Sequence, residues 1–103
     1  MKQVSLDELT FAKFSALLNA PFRVRLDQSS VVQLKLVAAT GSGGQPESFS
    51  LVFLGPADRL LPQKIYSFEQ DQLGSFDLFI VPIGKDAQGI QYEAIFNRGS
   101  RTK

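Results

Sequence analysis

Asp77 and Glu93 fall on the same face of two alternating apolar runs, 76–83 and 90–97, and a carboxylate pair is the first chemistry to test in this chain. The chain has no His, which removes the commonest general base and the commonest metal ligand together. It has no Cys, so thiol nucleophiles, disulfides and thiolate-bound metals are excluded. What remains is a carboxylate-only hydrolase, in which one group protonates the leaving oxygen and the other activates water. The alternation works against it, because it offsets Asp77 from Glu93 and turns both toward solvent. Glu69 and Asp71 flank a turn, and no Asp-x-Asp-type loop offers a metal cage. No catalytic residue, metal ligand or cofactor is assigned.

Three further constellations suggest binding. Arg23 and Arg25 share a strand face that Lys35 could join, weakly like the basic groove of a single-strand nucleic-acid binder. Eleven Lys and Arg against ten Asp and Glu leave a net charge of only +1, so the reading is an ordinary solvated face and no nucleic-acid partner. The Gly-Ser-Gly-Gly run at 41–44 lacks the Gly-Lys-Ser/Thr entry into a helix that cradles phosphate, so it reads as a flexible loop. Tyr66 and Tyr92 could place hydroxyls at a barrel mouth and line a small-molecule pocket. Nine Phe and no Trp fit a filled interior better, so a ligand is the lesser expectation.

The elements that must position these residues follow from periodicity. Ser5 and Glu8 have the spacing of a capping box, and Leu6, Leu9, Phe14, Leu17 and Leu18 recur at helical intervals, so a helix is expected over 5–19. Thr10 is a competing N-cap, and Asn19 with Pro21 ends the helix. After Pro21 the period changes to two. Strands are expected over 22–27, 31–39, 48–54, 64–69, 75–83 and 89–97, with a basic tail at 98–103 and a loop at 40–46. Val32, Leu34, Leu36 and Ala38 should share one face of the second strand. Six strands with no helix between them predict a mainly β chain: an antiparallel six-stranded small barrel or sandwich with one N-terminal helix. At 103 residues, 1–103 is read as a single domain.

The last hairpin is the most explicit element. Pairing Pro82 with Ile90 across a five-residue loop, 84–88, sets Ile80 against Tyr92, Leu78 against Ala94 and Phe76 against Phe96. The opposite face then carries Phe79, Val81, Ile83 and Ile95 beside Asp77, Gln91 and Glu93. That apolar half needs cover, and the N-terminal helix is the favoured cover over a second copy of the chain. These four residues are the candidate interaction surface.

An ordered series of motifs carries a family resemblance: Phe49-Ser-Leu-Val-Phe53, Gly55-Pro56-Ala57-Asp58, Leu61-Pro62-Gln63 followed by Tyr66, Phe76-Asp-Leu-Phe-Ile-Val-Pro82 and Tyr92-Glu-Ala-Ile-Phe-Asn97. The series resembles a family of small bacterial proteins classed as a domain of unknown function, found near phage-tail-like or tail-fibre (collar-type) proteins. The likeness covers the last half of the chain, and the helix with Pro21-Phe-Arg-Val24 more loosely. Its motifs mark turns and strand cores, so it implies a compact β domain in a tail or assembly context and no site residues. No apolar run approaches the ~18 residues of a membrane span, and the first residues lack a signal-peptide core, so a cytoplasmic protein with no membrane partner is expected. The expected function is a non-enzymatic structural or interaction module with a protein partner or self-association. A small-molecule-binding barrel and the carboxylate hydrolase are the alternatives.

Overall fold

In the computed structural model, residues 2–5, 8–42 and 45–97 are described, with backbone alone at 42, 45–47 and 97. Leu6, Gly43, Gly44 and the tail 98–103 lie outside the described residues. The elements are α1 (Phe11–Ser15), β1 (Pro21–Arg25), β2 (Val31–Ser42), β3 (Gln45–Gly55), β4 (Lys64–Gln70), β5 (Gly74–Asp86) and β6 (Gly89–Asn97). The strands form a closed antiparallel barrel in the order β1-β2-β3-β6-β5-β4, with β4 returning to β1. The mainly β expectation holds, and closure decides the barrel against the sandwich.

Period-two alternation builds the core. Phe22 and Val24, Val32, Leu34 and Leu36, Phe49, Leu51 and Phe53 are buried, as are Tyr66 and Phe68, Phe76, Leu78 and Ile80, and Ile90, Tyr92, Ala94 and Phe96. One expectation on β2 fails. The β2–β3 register shifts between Leu36 and Ala38, so the bulge at Val37 reverses the parity and Ala39, not Ala38, packs on the core. The expected loop at 40–46 is also largely strand, since Thr40 pairs with Ser50, Gly41 with Phe49 and Ser42 with Gln45. The Phe11 ring reaches Gly41 and lies 5.7 Å from the Phe49 ring, which covers this end of the hairpin.

The helix is far shorter than expected. Thr10 is its N-cap, accepting from the Lys13 amide, and regular helix ends at Ser15. Upstream, Ser5 and Glu8 close a turn, with the Glu8 amide donating to the Ser5 carbonyl. The chain before that turn is extended: Ser75 donates to the Lys2 carbonyl and accepts from the Val4 amide, a parallel bridge on the edge of β5. Asn19, at φ 71°, turns the chain into β1. The helix is a plug. Phe14 is fully buried, with its ring 5.5–6.3 Å from those of Phe22, Phe49, Phe76 and Phe96.

In the final hairpin the register at Pro82 is shifted by two residues and the expected five-residue loop shrinks to a two-residue turn. Pro82 pairs with Tyr92, Lys85 with Ile90 and Asp86 with Gly89, leaving Ala87 and Gln88 as the turn. The Asp86 carboxylate accepts from the Gln88 and Gly89 amides and holds that turn closed. A bulge between Pro82 and Gly84 absorbs the odd residue.

Candidate functional site

The two tyrosines of the candidate pocket are buried, and both hydroxyls are bonded to the chain itself. Tyr92 is fully buried; its hydroxyl accepts from the Leu61 amide (3.0 Å) and donates to the Arg59 carbonyl (3.3 Å). The Tyr66 hydroxyl donates to the Pro62 carbonyl at 2.6 Å, and burial pushes its pKa up. Both side chains therefore tie the β3–β4 connection across the barrel mouth, where Leu61 is buried as a second plug. With Phe14 at one end and Leu61 at the other, buried side chains stand at both ends of the core.

The basic strand face is neutralised. Arg23 pairs across β1–β4 with Glu69 and donates to Asp71 at 2.9 Å, while Arg25 donates to Glu69 at 2.9 Å. Hydrogen bonding from Arg25 holds the Glu69 carboxyl below its ordinary value. Lys35 lies away from this ladder, opposite Pro21 on β2.

Asp77 and Glu93 do not converge. Asp77 pairs with Ser67, whereas Glu93 pairs with Val81, four residues further along β5. That separation is about 13 Å of strand, beyond the roughly 5–9.5 Å of working carboxylate pairs. Among the described residues no group of three or more Asp or Glu could hold a metal ion. No described helix is long and apolar enough to cross a membrane.

The outer face of β4, β5 and β6 is the feature that stands apart. The favoured cover for it, the helix, packs instead on β2, β3 and the barrel end. Phe79 is 49% exposed and Ile95 68% exposed. They are the outward residues next to the Val81–Glu93 pair on their two strands. Ile65, 62% exposed, pairs directly with Phe79 and extends the row onto β4. Ile65 was not anticipated, although its alternation with buried Tyr66 and Phe68 carries the signal. At the bulge Ile83 lines, with Leu60, Pro82 and Ile90, a shallow groove of about 550 Å³ whose rim carries Asp58 and Lys85.

The described residues thus define a class: a closed, helix-plugged β-barrel with a hydrophobic core and exposed apolar residues on β4, β5 and β6. Within that class, residues 9–96 match the Domain of unknown function (DUF6916), and the chain belongs to this family. The family description assigns no activity and makes no link to tail-like assemblies. No curated protein and no solved structure matches the chain.

Proposed function

We propose that the protein is a non-enzymatic interaction module, cytoplasmic, that docks a protein partner through the outer face of β4, β5 and β6. The observation that carries the reading is the row Ile65, Phe79 and Ile95, three large apolar side chains held about half exposed or more on a rigid sheet. A monomer gains nothing from such a row, whereas a docking site buries it. An accessory role in a phage-tail-like assembly, which the resemblance of the C-terminal half implies, is part of this proposal. The small-molecule reading has less support, because Leu61, Phe14 and both tyrosines are buried and the tyrosine hydroxyls are already bonded within the chain.

The test is affinity purification from the native host with the wild-type chain and the double variant F79S/I95S, with bound proteins identified by mass spectrometry. A partner held by the wild type and lost by the variant, at unchanged circular dichroism and melting temperature, supports the reading. Equal recovery of that partner by both overturns it.

A further inference from the structure

We infer that the partner segment seated on this face carries Arg or Lys among its apolar side chains, an inference that rests on the docking surface proposed above. The same face presents two carboxylates. Asp77 neighbours Phe79 along β5, and Glu93 neighbours Ile95 along β6. Because outward residues alternate with buried ones, all four point the same way, out of the barrel. Among the described residues neither carboxylate has an ion-pair partner, unlike Glu69 and Asp71, which Arg23 and Arg25 neutralise. The nearest lysine along β4, Lys64, lies over the Tyr66 ring at 5.2 Å instead.

This combination discriminates between occupants. An apolar contact over Phe79 and Ile95 strips water from Asp77 and Glu93, and a carboxylate so desolvated must be given a cation or hydrogen-bond donors. An arginine supplies both, and its planar head can also lie on the Phe79 ring. A second copy in a two-fold contact sets the same patch against itself and brings carboxylates up to Asp77 and Glu93, while the neighbouring Arg23 and Arg25 are already bound to Glu69 and Asp71. Nucleic acid and anionic lipid are repelled for the same reason.

Two synthetic peptides of about eight residues, enough to span the face, test this: one alternates Val with Arg, the other Val with Glu. The readout is the amide spectrum of the labelled full chain. The Arg peptide is expected to shift the Asp77, Phe79, Glu93 and Ile95 amides and the Glu peptide to leave them in place. Affinity for the Arg peptide should fall about tenfold in D77N/E93Q, and also between about 50 and 500 mM salt. If both peptides bind equally, or D77N/E93Q changes nothing, the charge inference is wrong while the surface survives. If F79S leaves the Arg peptide's affinity unaltered, the surface itself is wrong. A wild-type dimer in sedimentation that F79S dissociates makes the occupant a second copy and overturns the inference.

Discussion

The Tyr92 hydroxyl is the side-chain group on which the barrel mouth most depends. It satisfies the buried Leu61 amide and holds the Arg59 carbonyl, so its removal leaves a donor unpaired away from water. Y92F is expected to cost about 1–3 kcal/mol in urea unfolding. Y66F should cost less than about 1 kcal/mol, because only the Pro62 carbonyl loses its donor there and water can replace it. Acid sensitivity is also a residue-scale property. Glu69, bonded by Arg25 and Arg23, titrates below its ordinary 4.5, and Asp27, bonded by the Ser29 and Ser30 amides, below its ordinary 3.8. A depressed folded pKa adds stability that is present above the unfolded value and lost as pH falls through the folded one. E69Q should therefore flatten the loss of stability that the wild type shows as pH drops below about 4.5, read from urea midpoints across an acid series.

At the scale of elements, the closing hairpin shows what a pattern can and cannot specify. Alternation sets which residues face inward, and Phe76, Leu78, Ile80, Tyr92, Ala94 and Phe96 are all buried as their spacing indicates. A slip of two residues leaves that parity untouched, so the apolar pattern is blind to it. The turn decides the register instead, through Asp86 and through Gly89 at φ 150°. A β-carbon at Gly89 would come into collision with the Gly55 carbonyl oxygen, so G89A should cost at least about 2 kcal/mol. G84A is the control at less than about 1 kcal/mol, since it meets only the movable end of Gln91. The helix is shorter than its spacing predicts for a different reason. Helical spacing of Leu9, Phe14 and Leu17 survives, but backbone bonding to Ser75 pulls Lys2–Val4 into an extended segment, and the barrel mouth accepts little more than one turn. F14A should cost about 3–5 kcal/mol by chemical denaturation, since four aromatic neighbours lose their common contact.

For the whole molecule, stability and recognition are separable. The core is lined by inward residues of all six strands, whereas the apolar row on β4, β5 and β6 contributes little to it. The variants F79S and I95S should each change unfolding free energy by no more than about 0.5 kcal/mol while abolishing any partner's contact with this face. The outward placement of Phe79, Val81 and Ile95 is legible because a strand's second face is visible in its alternation. Ile83 is exposed at a bulge that no residue type announces, and the ion ladder of Arg23, Arg25, Glu69 and Asp71 needed the long-range closure of β1 on β4. That closure has a kinetic meaning. β1 is the shortest strand and meets β4 through only three residue pairs, joining segments more than forty positions apart in sequence. It is therefore the last seam to form as the chain folds and the first to breathe in the native state. Amides along that seam will exchange with solvent by local opening, while those of the β3–β6 ladder wait for global unfolding.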